Sequence, residues 1–197
     1  MLTQASHTPA LFRRYPELAT RIPWLPIGDF PTPVEPLDLG GATQGAELWV
    51  KRDDLSGRPY GGNKVRKLEF ILADAKSRGV ERLITVGAVG SHHALATALY
   101  GRAHGFHVAL VLFPQPMNEH VRRVLLLDHA VGAELRFTPR METVPGAVLA
   151  ARFAHRGHRH HVIAPGGSDP IGTLGYVSAG LELAEQIADG KAPRPDV

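Results

Sequence analysis

From residue 63 to residue 188 the chain alternates short apolar runs with longer amphipathic segments closed by glycine, and this rhythm restricts the fold more than any other feature. Val65, Leu68, Leu72 and Ala75 recur at helical spacing within residues 63–78, and Gly79 follows. Residues 82–87 (RLITVG) read as an apolar strand, 92–104 as an Ala/Leu-rich helix ended by Gly105, and 107–113 (HVALVLF) as a buried strand. Asn118 is placed to cap a helix over 119–131, which Gly132 ends. A strand at 134–137, a helix at 146–155, a strand at 161–164 and a long helix at 173–188 complete the series. Leu174, Val177, Leu181, Leu183, Ala184 and Ile187 lie on or near the apolar side of that last helix. Apolar strands without polar alternation suit a parallel sheet covered on both faces, and right-handed crossovers make it a doubly wound α/β fold. Ligands of such sheets bind beyond the carboxyl ends of the strands, so the strand-to-helix loops are where chemistry is expected.

The first 46 residues differ. Seven prolines, from Pro9 to Pro36, make them an extended arm with one short helix over 9–19, before a strand at 47–51 (ELWVK). No apolar run approaches the ~18 residues of a membrane span. Residues 1–18 lack a basic start followed by an apolar core, so no signal peptide is read and the cytoplasm is the expected compartment. Cysteine is absent, which removes disulfides, thiolate zinc sites and a cysteine nucleophile. The net charge is +3, from 22 Lys+Arg against 19 Asp+Glu, with no run of five like charges, so nucleic acid is not an expected partner.

Four stretches invite a chemical reading. In Gly61-Gly62-Asn63-Lys64-Val65-Arg66-Lys67, three basic residues sit at the start of a helix, although the macrodipole favours them at its end. An anionic partner, phosphate or carboxylate, would explain them. A lysine beside other positive charges gives up its proton more readily, as an amine nucleophile requires. A glycine turn followed by a solvated basic face is the plainer alternative. In Gly87-Ala88-Val89-Gly90-Ser91-His92-His93, Ser91 stands at an N-cap, where it and the following N–H groups could hold a carboxylate, or where it could simply cap. The stretch Pro165-Gly166-Gly167-Ser168-Asp169-Pro170 reads as a turn or packing loop. Neither a phosphate-binding G-x-x-x-x-G-K-[ST], nor G-x-S-x-G, nor a correctly spaced G-x-G-x-x-G occurs. The run from His155 to His161 suggests metal, but its interleaved arginines and the lack of nearby carboxylates favour a solvated basic connector, and no metal is expected.

Taken together, GGNKVRKLE, ITVGAVGSHHALATA and APGGSDPIGTLGYVSAGLELAEQI, with KRDDLSG before them, closely resemble the 1-aminocyclopropane-1-carboxylate deaminase and D-cysteine desulfhydrase family. These are pyridoxal-phosphate enzymes related to the tryptophan synthase β chain, and the match runs in order from about residue 10 to the end. The resemblance implies that Lys64 carries pyridoxal 5'-phosphate and shuttles protons. It places Asn63 and Lys67 near the cofactor phosphate. Ser91 matches the serine of the family's Q-S-N-H loop, which holds the substrate carboxylate. Gly90 replaces the glutamine and His92 replaces the asparagine that bonds the pyridine hydroxyl. His93 keeps the histidine, and Gly166, Gly167 and Ser168 keep the third loop. His92 and His93 are thus expected to touch cofactor or substrate.

The implied activity is a lyase or deaminase acting on a small amino acid, of the D-cysteine or 1-aminocyclopropane-1-carboxylate type, releasing ammonia and a 2-oxo acid. The implied architecture is two α/β subdomains of the tryptophan synthase β-like fold, N-terminal part only. Residues 1–66 would begin the large cofactor-binding domain, 67–162 form the small domain, and 163–197 return to the large one. Residues 196–197 read as the start of a further strand that should lead to a phosphate loop. The expectation is therefore a truncated family member, a homodimer in its full-length form, holding the cofactor weakly. Tyr15, Tyr60, Tyr100 and Tyr176 match none of the family's site tyrosines. The rival reading is a catalytically inert fragment serving as an interaction module.

Overall fold

The computed structural model describes residues 7–40 and 45–196 of the chain. Pro16 has no amide hydrogen to continue a helix, so the arm's single expected helix is broken in two. α1 spans Ala10–Arg14, and a 3-10 turn follows over Pro16–Thr20. β1 (Val34–Pro36) was not legible in the proline-rich arm; it pairs antiparallel with β2 (Trp49–Lys51), Val34 opposite Lys51.

The remaining elements alternate as the sequence pattern indicates, with boundaries shifted by at most three residues. They are α2 (Lys64–Ser77), β3 (Arg82–Ala88), α3 (His92–Ala103), β4 (His107–Phe113), α4 (Glu119–Ala130), β5 (Glu134–Phe137), α5 (Val144–Ala154), β6 (His160–Ile163) and α6 (Pro170–Ala188). The last four strands form one parallel sheet in the order β5-β4-β3-β6. Alternate residues of the central strands feed opposite faces. Leu83, Val108, Leu110 and Leu112 join a core with α2 and α3, while Ile84, Ala109 and Val111 pack with Ala151 of α5. Both faces are covered, which is why these strands are continuously apolar.

The chain leaves β3 toward β4 and later returns to β6 on the other side of β3. Loops following β3 and β6 therefore diverge from neighbouring strand ends, the crevice where doubly wound sheets bind ligands. Asp196 is not in a strand, and Val197 lies outside the described residues. Among the described residues no helix is long and apolar enough to cross a membrane.

α6 corrects the reading of its faces. Its buried residues are Gly172, Gly175, Ser178, Ala179, Glu182 and Gln186, whereas Tyr176 and Val177 are exposed. Gly175 explains the close fit: a Cβ there would run into the Arg66 carbonyl of α2. The polar members are buried because partners far away in sequence reach them. Arg66, 3% exposed, donates to Glu182 and to Asp53, Lys51 pairs with Glu182 at 2.7 Å, and Gln186 donates to the Thr32 carbonyl. This network ties α2 and α6 to the β2 strand and the arm.

Candidate active site

The loop before α2, the β3–α3 loop and the β6–α6 loop converge. Lys64 is the first residue of α2, and its Nζ donates to Asn63 Oδ1 at 2.8 Å. One turn later, Lys67 Nζ donates to the Gly166 carbonyl at 3.1 Å and to Ser168 Oγ at 2.9 Å, and lies 5.5 Å over the Tyr176 ring. Gly166 and Gly167 take φ of 68° and 63°, conformations that L side chains rarely adopt. A Cβ on Gly167 would crowd Ile71, Lys67 and His93, at 3.2, 3.4 and 3.5 Å, and one on Gly166 would approach Lys64 Cε at 4.0 Å. The two glycines thus leave a floor of bare backbone beside both lysines.

Ser91 caps α3, its Oγ accepting from Ala94 N at 3.3 Å. Behind it, His93 is buried, and its Nε2 is bonded to Thr85 Oγ1 at 3.0 Å. Burial, followed by the charges of Lys64 and Lys67, pushes His93 down to about 4, so it is neutral at physiological pH. The Lys64 amine is also held below its ordinary value, first by burial and then by the charge of Lys67. Neither lysine has a carboxylate partner among the described residues. A pair of unneutralised ammonium groups beside exposed backbone suits an anion, and a depressed amine suits a carbonyl.

Arg66 departs from the expected anion cluster. Its guanidinium turns away into the core to meet Asp53 and Glu182, so the helix start presents two basic groups rather than three. Sequence reasoning also missed the role of tyrosines. The Tyr60 hydroxyl is hydrogen-bonded to His92 Nδ1, and its ring stacks on the imidazole with centroids 6.0 Å apart. Burial, then the nearby Asp128, raise the Tyr60 phenol, so it stays protonated. An aromatic residue directly before the Gly61-Gly62 pair was the available signal. The His155–His161 stretch needs correction as well. Glu134 of β5 meets His155 at 3.2 Å, and Glu81 meets His158 at 2.5 Å, carboxylates that adjacency in sequence could not reveal. Among the described residues, no group of three or more histidines and carboxylates could hold a metal ion.

Residues 26–197 match the model of the pyridoxal-phosphate dependent enzymes. The chain belongs to this family. Pyridoxal phosphate is the cofactor of its members. A D-cysteine desulfhydrase of Klebsiella pneumoniae is 38% identical over 181 residues, covering 88% of this chain and 55% of the relative. A Pyrococcus furiosus protein provisionally named 1-aminocyclopropane-1-carboxylate deaminase is 39% identical over 173 residues, 86% of this chain and 52% of the relative. The chain thus spans about half the length of the curated relatives it matches. The crystal structure of a 1-aminocyclopropane-1-carboxylate deaminase homologue superposes with a TM-score of 0.74 at 36% identity, covering 97% of this chain and 55% of that one. A hydrogen sulfide-producing enzyme of Fusobacterium nucleatum, at 17% identity and a TM-score of 0.55, shares the fold over 73% of this chain and 42% of its own. The residues present fit the family cofactor: a depressed amine for its aldehyde, a second ammonium and helix N-termini for its anionic groups, and a glycine floor that a Cβ would fill.

Proposed function

We propose that this chain supplies the lysine-bearing part of a pyridoxal-phosphate lyase or deaminase that releases ammonia and a 2-oxo acid from a small amino acid of the D-cysteine or 1-aminocyclopropane-1-carboxylate type. The observation that carries the reading is Lys64. It is an amine with a lowered proton affinity and, among the described residues, no carboxylate partner, at a helix start facing the Gly166–Gly167 backbone. Bound pyridoxal phosphate supplies an aldehyde that captures amines and a ring that accepts electrons from the substrate carbon. The protein's own groups do the rest. Lys64 binds the cofactor and then moves a proton to and from the substrate. Lys67 and Asn63 hold negative charge beside it. Ser91 and the first N–H groups of α3 orient the substrate carboxylate, the alignment expected of a capped helix start. His93, neutral and fixed on Thr85, packs under the loop, and His92 stands at its edge.

The two-subdomain division belongs to the same proposal, with 1–66 and 163–197 in a large domain and 67–162 in a small one. So does the homodimer of the full-length form. The four-strand sheet lying within residues 82–163 supports the small domain. The test is release of 2-oxo acid from D-cysteine and from 1-aminocyclopropane-1-carboxylate by cofactor-treated protein, with Ser91→Ala as the comparison. Turnover lost mainly through a raised KM in that variant supports the carboxylate role. Absence of turnover together with absence of cofactor binding favours the interaction-module reading instead.

A further inference from the structure

Tyr176 of α6 is 40% exposed and belongs to none of the apolar clusters formed by the described residues. Its place is nonetheless fixed. Gly175, the residue before it, lies so close to α2 that a Cβ would come within 2.2 Å of the Arg66 carbonyl oxygen and 2.9 Å of Lys67 N. Asp169 caps the start of the same helix, its Oδ1 accepting from Gly172 N at 2.7 Å. The two packed backbones set the Tyr176 ring beside Lys67, whose Nζ stands 5.5 Å from the ring centroid. The ammonium has three N–H donors, and two of them go to the Gly166 carbonyl and to Ser168 Oγ. Every group seen to hold Lys67 among the described residues is therefore neutral: a carbonyl, a hydroxyl and a π-face. A carboxylate would fix the ammonium too, but it would cancel the charge that an anion needs. A ring fixes it through its quadrupole and leaves the charge whole.

Resting on the pyridoxal-phosphate reading, we propose that Tyr176 is a positioning residue of the phosphate subsite, its ring holding the charged Lys67 side chain ready for the cofactor phosphate. Lysine carries its charge on a flexible four-carbon stem, and ordering that stem when an anion arrives weakens the binding. Contacts that order it beforehand remove that penalty. Gly166 and Ser168 reach Lys67 from the β6–α6 loop, and Tyr176 reaches it from the helix that the loop leads into. The clamp on Lys67 thus comes from one continuous segment, whose position is set by the contact of Gly175 with α2. The interaction belongs to the ring face and not to the hydroxyl, so another aromatic residue can provide it and an aliphatic one cannot.

The experiment reads Lys67 with and without the cofactor. In the cofactor-free chain carrying isotope-labelled lysine, the NMR signal of the Lys67 Cε–H group, assigned by its loss in Lys67→Gln, is followed as inorganic phosphate is added. Separately, the Kd of pyridoxal phosphate is measured by visible absorbance. Both are run on wild type, Tyr176→Phe, Tyr176→Trp and Tyr176→Leu, each checked for folding by circular dichroism. In wild type the Lys67 signal should be displaced upfield by the ring and should shift saturably with phosphate. Tyr176→Leu should abolish the displacement and weaken phosphate and cofactor binding roughly 2- to 5-fold, the size of a partly exposed cation–π contact. Tyr176→Phe should keep the wild-type values, and Tyr176→Trp should equal or exceed them. Equal or tighter binding in Tyr176→Leu, a loss in Tyr176→Phe as large as in Tyr176→Leu, or a wild-type Lys67 signal that ignores phosphate would each overturn the proposal. Should Tyr176→Leu not fold, the two aromatic variants and the wild-type response of Lys67 decide it. Ring-dependent phosphate binding without cofactor colour would count against the pyridoxal-phosphate reading and leave Tyr176 and Lys67 standing as an anion site. Cofactor colour at Lys64 with an affinity that ignores the ring would do the reverse.

Discussion

Exchanging Glu182 for glutamine probes the junction that holds the lysine-bearing helix in place. The Glu182 carboxylate is 4% exposed. It accepts from both terminal nitrogens of Arg66 at 3.0 and 3.1 Å and from Thr32 N at 3.1 Å, and it pairs with Lys51 at 2.7 Å. Glu182→Gln keeps the shape but leaves one acceptor oxygen, and it turns an amide donor toward two cations. Removing one partner of a buried pair costs about 3–5 kcal/mol, because the charge left behind stays desolvated. Asp53 still balances Arg66, so the lower end is expected. For a chain of this size each kcal/mol moves the Tm by about 2–4 °C, giving a fall of roughly 6–12 °C. Glu185→Gln, less than one turn away, is the control. Its pairing with Arg13 is 43% exposed on the acid side and should be worth at most ~1 kcal/mol. The pH dependence has a definite sign. Burial pushes the Glu182 carboxyl up, but Arg66 and Lys51 outweigh it and hold it below the usual 4.5. Its contribution is therefore present above pH 4.5 and lost as the pH falls below that value. Thermal and urea unfolding at pH 7 and pH 4 read both effects. Equal, sub-kcal/mol losses for the two variants at pH 7 would refute the reasoning.

Gly172→Ala should destabilise by about 1–3 kcal/mol, because its Cβ would overlap the Gly167 carbonyl, whereas Gly180→Ala meets nothing and should stabilise by about 0.5–1 kcal/mol; paired urea titrations compare them. Asp128 is fully buried with neither oxygen hydrogen-bonded, and burial raises it to about 7. A raised carboxyl destabilises the fold progressively as pH climbs from its unfolded value near 3.8 toward 7, so Asp128→Asn should raise the Tm at pH 8 and change it little at pH 4. Asn118→Ala removes the cap on Val121 N and should cost about 1 kcal/mol by urea unfolding.

The sequence was most legible where local forces decide. β4 and β5 sit at their expected residues, because a glycine just before each, Gly105 and Gly132, ends the preceding helix, and β4 is besides a continuous apolar run. The Ser91 and Asn118 caps were readable for the same reason. Legibility failed where the deciding partner is distant. The sequence pattern of α6 points to its leucines, but the helix buries glycines and polar groups because Arg66, Lys51 and Thr32 arrive from more than a hundred residues away. For the same reason the sequence groups Arg66 with an anion site, whereas Asp53 and Glu182 claim its guanidinium. Within the site, the glycine-bordered loops marked Lys64, Ser91 and Gly166–Ser168. Nothing local indicated that Tyr60 and His120 would hold His92 between them.

The most direct test of the account is titration of the purified chain with pyridoxal phosphate, read by visible absorbance and followed by borohydride reduction and peptide mapping. The account expects a saturable absorbance band in wild type, a stable mass adduct on Lys64, and loss of both in Lys64→Ala with the fold intact by circular dichroism. An unchanged band in Lys64→Ala, or an adduct confined to other lysines, would contradict it.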